Sequence, residues 1–243
     1  MKIVGIIPSR FASTRFPGKP LVDIAGKTMI RRVYEQASQA KTLSEVIVAT
    51  DDQRILKEVI RFGGKAVMTY PMHKNGTERC AELVSLGAVD ADVIINIQGD
   101  EPFIDPEQID VLAACFEDPS TQIATLIRKT EWSDDIRNPS RVKVVVNKNS
   151  EAMYFSRSII PNPVSQAHFD EVDFNLHIGI YAFRKDVLME VIKLSATPLE
   201  ITESLEQLRW LENGYRIKCA VTKHVSIPVD TPEDLQEIRL MLE

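Results

Sequence analysis

The chain has few cysteines and no long apolar run, and these absences exclude several classes of protein. Its three cysteines (Cys80, Cys115 and Cys219) are scattered, with no C-x-x-C pair and no metal-ligand spacing. A disulfide scaffold and a zinc site are therefore excluded, and we expect reduced, mostly buried thiols. No apolar stretch is long enough to span a bilayer, and residues 1–7 are too short for a signal peptide. We therefore expect a cytoplasmic protein that does not bind membranes.

Excess positive charge and the common phosphate-binding motifs are also missing. The 243 residues include 29 Lys and Arg against 35 Asp and Glu, a net charge of -6, which argues against nucleic acid as a partner. Neither G-x-x-x-x-G-K-[ST] nor G-x-G-x-x-G follows the first apolar run. An ordinary P-loop NTPase and a standard dinucleotide-binding dehydrogenase are therefore excluded.

Short apolar runs alternate with amphipathic segments in the first half, which predicts an α/β fold with a mainly parallel central sheet. There the predicted strands are 2–7, 45–49, 65–68, 93–96 and 123–128, and the predicted helices are 28–40, 52–62, 77–86 and 106–116. Beyond residue 132 we predict strands at 142–146, 152–155, 177–183 and 217–221, an irregular loop at 161–173, and helices at 185–193, 201–213 and 231–242. We predict a single domain, 1–243, with a smaller portion at about 132–184.

A basic loop follows the first predicted strand and is the most informative feature of the sequence. Arg10, Arg15 and Lys19 fall in one loop, together with Ser9 and Ser13 as hydroxyl donors. The carboxyl ends of strands are where ligands bind in open α/β sheets. Three cations at such a place predict a polyanionic ligand, and a nucleoside triphosphate is the obvious one.

A carboxylate follows the strand 93–96 in the segment Gln98-Gly99-Asp100-Glu101-Pro102. Its position at a strand end, opposite the basic loop, suits a ligand of Mg²⁺, which takes one or two protein carboxylates besides phosphate oxygens and water. Asp230 lies just before the terminal helix, where capping of the helix and binding of metal are equally good interpretations. His73 is interpreted as a loop histidine, and Asn75-Gly76-Thr77 as a turn followed by a capped helix.

Several motifs together resemble the sugar-acid cytidylyltransferases, and among them the 3-deoxy-manno-octulosonate (Kdo) cytidylyltransferase, or CMP-Kdo synthetase, family. The similarity covers essentially the whole chain in order. The motifs that carry it are Pro8-x-Arg10-x-x-Ser13-x-Arg15-x-Pro17-Gly18-Lys19-Pro20-Leu21, Val48-Ala49-Thr50-Asp51-Asp52, Asn75-Gly76-Thr77-Glu78-Arg79, Gln98-Gly99-Asp100-Glu101-Pro102, His177-Ile178-Gly179-Ile180-Tyr181, Glu203-Ser204-Leu205-Glu206-Gln207-Leu208-Arg209 and Val229-Asp230-Thr231-Pro232-Glu233-Asp234.

The resemblance implies a GT-A-like (Rossmann-like) nucleotidyltransferase fold, a homodimer, and CMP transfer from CTP to Kdo with Mg²⁺ for lipopolysaccharide synthesis. It implies that the nucleotide is bound by Arg10, Ser13, Arg15, Lys19, Ala49, Thr50, Asn75, Gly76, Thr77 and Arg79. It implies that the sugar acid is bound by Gln98, Arg157, His177, Tyr181, Glu206 and Gln207, and the metal by Asp100 and Asp230. With Arg10 and Lys19, these two carboxylates form the expected catalytic set.

The sequence departs from the family where Asn75 and Glu78 replace the usual Ser and Asp, and it leaves alternative functions open. The sugar acid in these alternatives is 8-amino-Kdo or a sialic acid. A non-catalytic nucleotide-binding module on the same fold is a further alternative, against which the retention of both Asp100 and Asp230 argues.

Overall fold

The structure is a computed structural model that describes residues 1–12, 16–164, 173–225 and 228–242. Contacts divide the chain into a first unit, residues 1–110 and 226–243, and a second unit, residues 111–225. The second unit includes residues on both sides of the segment 132–184, for which the sequence predicted a smaller portion of the domain. Within the described ranges, no helix is both long and apolar enough to cross a membrane.

Four parallel strands form the sheet of the first unit, in the order β6-β1-β4-β5. The elements of this unit are β1 (Ile3–Ser9), β2 (Asp23–Ile24), β3 (Lys27–Thr28), α1 (Met29–Ala37), β4 (Glu45–Thr50), α2 (Gln53–Arg61), β5 (Lys65–Met68), α3 (Gly76–Ser85), β6 (Val93–Asn96), α4 (Pro106–Ala114, which runs past residue 110) and α9 (Pro232–Leu242). The alternation of strands and helices predicted from the sequence is confirmed.

Apolar runs explain why β1 and β6 lie at the centre of this sheet. The side chains of Ile6, Ile7, Ile94 and Ile95 have no exposed surface, as expected of strands that are covered on both faces. Pairing of β1 with β4 and β6 sets Ser9 beside Thr50, and Ile6 beside Asn96. The carboxyl ends of the three strands therefore lie at the same edge of the sheet.

The described residues of the second unit form a mixed sheet in the order β11-β7-β10-β8-β9, in which β11 and β7 are parallel and the other neighbours are antiparallel. Its elements are β7 (Ile123–Thr130), α5 (Asp134–Arg137), β8 (Lys143–Val146), β9 (Ala152–Ser156), β10 (Phe174–Arg184), α6 (Lys185–Val191), α7 (Pro198–Glu203), α8 (Glu206–Glu212) and β11 (Ile217–Val221). The predicted hairpin at 142–155 is confirmed. Most of the predicted loop 161–173 lies outside the described residues.

Two predictions for the second unit need correction. The single helix predicted at 201–213 is wrong, because Ser204 has φ +52° and separates α7 from α8. The strand predicted at 177–183 is longer, since β10 begins at Phe174, and it carries an irregularity between Ile178 and Tyr181. All three cysteines are free thiols, as predicted, with Cys80 and Cys219 buried and Cys115 partly exposed.

Candidate active site

A cavity of about 240 Å³ opens in the first unit, at the edge of the sheet where β1 and β6 end. It is lined by Pro8, Ser9, Arg10, Lys19, Pro20, His73, Lys74, Asn75, Gly76, Arg79, Gln98, Gly99, Asp100 and Asp230. Most of the residues predicted to bind nucleotide or metal are thus brought together by the carboxyl ends of parallel strands, the place where such sheets bind ligands.

Lys19 lies between the two carboxylates that were predicted to bind metal. Its Nζ is 2.9 Å from Asp100 Oδ2 and 3.2 Å from Asp230 Oδ1. The lysine side chain is only 14% exposed, so solvent screens these ion pairs less than it would on an open surface. Two carboxylates from distant parts of the chain therefore converge on one cationic group.

The structure distinguishes the carboxylate of Asp230 from the cap of α9. The hydroxyl of Thr231, the residue before the helix, accepts a hydrogen bond from Asp234 N at 3.2 Å. The carboxylate of Asp234 accepts in return from the backbone N–H groups of Asp230 and Thr231, each at 2.8 Å. Thr231 and Asp234 cap the helix in this way, and the carboxylate of Asp230 is directed to Lys19.

The chemistry of these donors fits a divalent cation. Mg²⁺ usually has one or two carboxylate ligands, with waters and substrate phosphates completing its octahedron. Asp100 and Asp230 offer two such carboxylates beside a cavity wide enough for waters, and a hydrogen bond of 2.9 Å from Val229 N to Asp100 O ties their segments together.

Helix α3 begins at the cavity and approaches β1 closely. Asn75 caps it, because its side-chain oxygen accepts from Glu78 N at 2.8 Å. A Cβ atom added at Gly76 would lie 2.9 Å from Pro8 Cγ, so only glycine lets the helix start at this distance from the strand. The interpretation of residues 75–77 as a turn and a cap thus holds, and two of these residues also line the cavity.

Arg79 projects from α3 as a buried cation with defined partners. Its Nη2 donates to Asp51 Oδ2 at 3.1 Å, and its Nη1 donates to the hydroxyl of Thr69. The side chain is 3% exposed, and a buried charge of this kind needs such pairing. Arg79 therefore supplies a rigid part of the cavity wall.

Other predicted nucleotide ligands lie outside the cavity lining or outside the described residues. Ala49 and Thr50 are fully buried at the end of β4, and the backbone carbonyl of Thr50 accepts from Thr69 N at 2.8 Å. Thr77 is also buried, on α3. Ser13 and Arg15 lie outside the described residues.

Ser9 and His73 line the cavity with chemistry that the sequence revealed only in part. The hydroxyl of Ser9 is buried and has no hydrogen-bond partner among the described residues, which is uncommon unless a ligand or water completes it. His73 was interpreted as a loop histidine, but its Nε2 lies 2.6 Å from Glu82 Oε2 and its Nδ1 lies 3.6 Å from Glu78 Oε2. The i, i+4 spacing of the two glutamates on α3 was the signal for this pairing.

Five of the six predicted sugar ligands lie in the second unit, and two of these, the partly buried His177 and the buried Tyr181, form an aromatic pair. The rings of His177 and Tyr181 are 5.3 Å apart, and Phe155 and Trp210 flank them. His177 Nε2 lies 3.0 Å from the hydroxyl of Thr125. Burial lowers the pKa of His177 to about 3, so the imidazole is neutral and acts through hydrogen bonds rather than charge.

The remaining predicted sugar ligands occupy three further places. The guanidinium of Arg157 donates to backbone carbonyls, including Glu203 O at 2.8 Å. Glu206 begins α8, and Gln207 follows it with 5% of its surface exposed. Gln98 lines the cavity of the first unit.

Comparisons with known proteins show the family of this chain. Residues 4–218 match the family model described as cytidylyltransferase. The chain is 53% identical to a 3-deoxy-manno-octulosonate cytidylyltransferase of Parabacteroides distasonis, covering 98% of this chain and 96% of that protein. It is 51% identical to the protein of the same name from Bacteroides thetaiotaomicron, covering 100% and 99%.

A solved structure resembles the whole chain. It is a CMP:2-keto-3-deoxy-manno-octonic acid synthetase complexed with CTP, and it superposes with a TM-score of 0.93 at 44% identity. The similarity covers 100% of this chain and 98% of that one. The predicted nucleotidyltransferase fold is thereby confirmed.

Proposed function

This chain belongs to the cytidylyltransferase family, and we propose that it transfers CMP from CTP to the anomeric hydroxyl of Kdo and releases pyrophosphate. The observation that carries the proposal is the convergence of Asp100 and Asp230 on Lys19 in the cavity at the end of β1 and β6. The full-length similarity to a synthetase with bound CTP agrees with it. A module that only binds a nucleotide has no need of this acidic pair.

The reaction is a direct displacement at the α-phosphorus of CTP. A bond forms between the anomeric oxygen of Kdo and this phosphorus. The bond from this phosphorus to the oxygen that bridges to the β-phosphate breaks, pyrophosphate leaves with that oxygen, and the hydroxyl proton passes to water. Such a transfer requires positioning and charge stabilisation rather than a covalent intermediate. Arg10 and Lys19 in the cavity, with Arg15, hold the triphosphate and offset its repulsion for the anionic sugar acid.

Asp100 and Asp230 would hold Mg²⁺. When bound, Mg²⁺ neutralises phosphate charge and lowers the pKa of a coordinated hydroxyl. Lys19, which contacts both carboxylates, is placed to exchange them for phosphate oxygens when the nucleotide enters.

The sugar acid is bound by the neutral imidazole of His177 and by Tyr181, Glu206 and Gln207, with Arg157 supplying positive charge near its carboxylate. Kdo is the acceptor, and the product, CMP-Kdo, is the activated form of Kdo for lipopolysaccharide synthesis.

We assign the enzyme to the cytoplasm and expect a homodimer. Burial holds the pKa of Tyr181 well above its usual range, so its hydroxyl stays a hydrogen-bond donor at neutral pH.

The experiment that tests this function measures pyrophosphate release from CTP and Mg²⁺ with Kdo, 8-amino-Kdo or N-acetylneuraminic acid as acceptor. We expect release with Kdo, and a loss of about 100- to 1000-fold in kcat for Asp100→Asn, in line with electrostatic groups at reaction centres. Asp90→Asn, at an aspartate whose side chain is 90% exposed, is the matched control and keeps wild-type activity.

Each outcome has a defined meaning. Release with only one of the other two acids would show that this acid, rather than Kdo, is the acceptor, while CMP transfer with release of pyrophosphate remains the reaction. Release with none of the three acids overturns the proposed function. Exchange of labelled pyrophosphate into CTP without any sugar acid contradicts direct displacement and indicates a covalent intermediate.

A further inference from the structure

The second unit contains a lysine with no exposed surface, Lys143 on β8. Its ammonium donates three hydrogen bonds, all to backbone carbonyls, at 3.2 Å to Asn138, 2.8 Å to Arg141 and 2.5 Å to Arg157. An ammonium has three N–H donors, so each of them is used. Burial lowers the pKa of Lys143, and the carboxylate of Glu203 opposes this shift.

This lysine lies where the strands that carry two predicted sugar ligands meet. Lys143 pairs with Ser156 on β9 and with Leu176 on β10. Arg157 follows Ser156 in the chain, and His177 follows Leu176. In addition, His177 N donates to the carbonyl of Val142 at 2.9 Å. Both ligands therefore bond to residues 142–143 at the start of β8, His177 through its N–H and Arg157 through its carbonyl.

Arg157 extends the connection to the start of α8. Its guanidinium donates to Glu203 O at 2.8 Å, to Pro139 O at 3.1 Å and to Ser204 O at 3.3 Å. The carboxylate of Glu203 accepts in turn from Ser156 Oγ at 2.6 Å and from Arg157 N at 2.9 Å. Glu206 and Gln207 lie two and three residues beyond Ser204, so the same contacts hold the turn that precedes them.

We propose that Lys143 is a positioning residue for the sugar acid, which joins the loop 138–141 to Arg157 and so holds Arg157, His177 and the start of α8 in register. The inference rests on the proposed function of this site. A buried charge costs free energy unless its hydrogen bonds are complete, and here the three carbonyls complete them. An apolar residue of similar length would leave these carbonyls without their shared donor.

The test compares binding of the two substrates, because the nucleotide cavity lies in the first unit and Lys143 lies in the second. We expect Lys143→Met to raise the KM for Kdo at least tenfold, with kcat reduced less than threefold. The Kd for CTP, measured calorimetrically without sugar, should stay within twofold of wild type. Lys143→Arg keeps the charge and the donors and should recover part of the change in KM.

A variant on a partly exposed member of the network covers the case in which Lys143→Met does not fold. Glu203→Ala removes the acceptor for Ser156 and Arg157, and should raise the KM for Kdo at least fivefold with unchanged CTP binding. Glu203→Gln, which keeps one acceptor oxygen, should bring the KM for Kdo most of the way back to the wild-type value. Lys148→Met, at an exposed lysine of the same hairpin, is the matched control and should match wild type in both substrates.

The outcomes separate this inference from the function on which it rests. A wild-type protein that releases no pyrophosphate with any sugar acid overturns the proposed function, and the inference with it. If the wild type is active but Lys143→Met or Glu203→Ala has the same KM for Kdo as the wild type, the inference alone is overturned. Equal losses for CTP and Kdo also overturn it, because they indicate a general structural role.

Discussion

The Nζ of Lys19 lies 2.9 Å from Oδ2 of Asp100, a residue 81 positions further along the chain. The same ammonium reaches Asp230 at 3.2 Å. Lys19 therefore acts as an internal counter-ion for the acidic pair. A divalent cation that binds these carboxylates competes with the lysine for them.

We predict that Lys19→Met will strengthen binding of Mg²⁺ alone and weaken binding of CTP. Without the ammonium, the carboxylates repel each other and attract a free cation more strongly. The triphosphate, in contrast, loses a charge-assisted hydrogen bond of about 1.5–3 kcal/mol, which raises its Kd by roughly 10- to 150-fold.

The measurement is thermal unfolding against Mg²⁺ concentration, together with calorimetric titration of CTP. Lys65→Met, which removes an exposed ion pair with Glu45, is the control for loss of one positive charge. A variant at Lys19 with unchanged responses to both Mg²⁺ and CTP would contradict this account of the pair.

The buried hydroxyl of Ser9 leads to a second prediction. Because it has no partner among the described residues, Ser9→Ala should leave the free energy of unfolding unchanged or raise it by up to about 1 kcal/mol. If bound CTP forms a hydrogen bond with this hydroxyl, the Kd of Ser9→Ala for CTP should be about fivefold higher than that of the wild type, equivalent to roughly 1 kcal/mol.

Ser44→Ala is the matched control for Ser9. Its hydroxyl donates to Ile3 O at 2.8 Å, so its removal should lower stability by about 1 kcal/mol without changing CTP binding. Urea unfolding and calorimetry give both quantities. A loss of stability in Ser9→Ala with unchanged CTP affinity would assign the hydroxyl to the fold instead.

The close approach of α3 to β1 gives a third prediction. Alanine has the higher helix propensity, yet Gly76→Ala should lower the free energy of unfolding by about 1–3 kcal/mol, because its Cβ would lie 2.9 Å from Pro8 Cγ. Displacement of the helix start should also raise the Kd for CTP. Ser85→Ala, at the other end of α3, should change stability by less than about 0.5 kcal/mol.

His177 makes stability depend on pH. Its pKa is about 3 in the folded protein against about 6.5 when unfolded, so the unfolded state binds the extra proton between these values. The contribution of a neutral His177 is complete above pH 6.5 and is lost as pH falls towards 3, by up to about 1.4 kcal/mol per pH unit.

Replacement of His177 by Gln should remove this contribution to the slope. Urea unfolding of wild type and His177→Gln at pH 6.5, 5.5 and 4.5 should give free energies that converge as the pH falls. Above pH 7.5 the difference between the two free energies of unfolding should not change with pH, because His177 is then neutral in both the folded and the unfolded state. A constant difference across the acidic range would show that His177 is accessible to protons in the folded state.

Much of the fold follows from local patterns in the chain. Apolar runs such as 2–7 and 93–96, separated by amphipathic segments and glycine-rich turns, predicted parallel strands with intervening helices. The single helix predicted at 201–213 was wrong because helical periodicity does not report one residue, Ser204, in a left-handed conformation. Periodicity records which side chains are buried, and a break of this kind leaves that pattern nearly unchanged.

Part of the candidate site could likewise be predicted from the sequence, and part could not. The sequence by itself determined that cations and a carboxylate follow buried strands, since the carboxyl ends of parallel strands share one edge. Only the tertiary structure decided that Asp230 faces Lys19 while Thr231 caps α9, because either group can cap a helix locally. It alone decided that Lys143 is buried, since its three carbonyl partners come from the loop 138–141 and from the end of β9, whose paths depend on packing across the second unit.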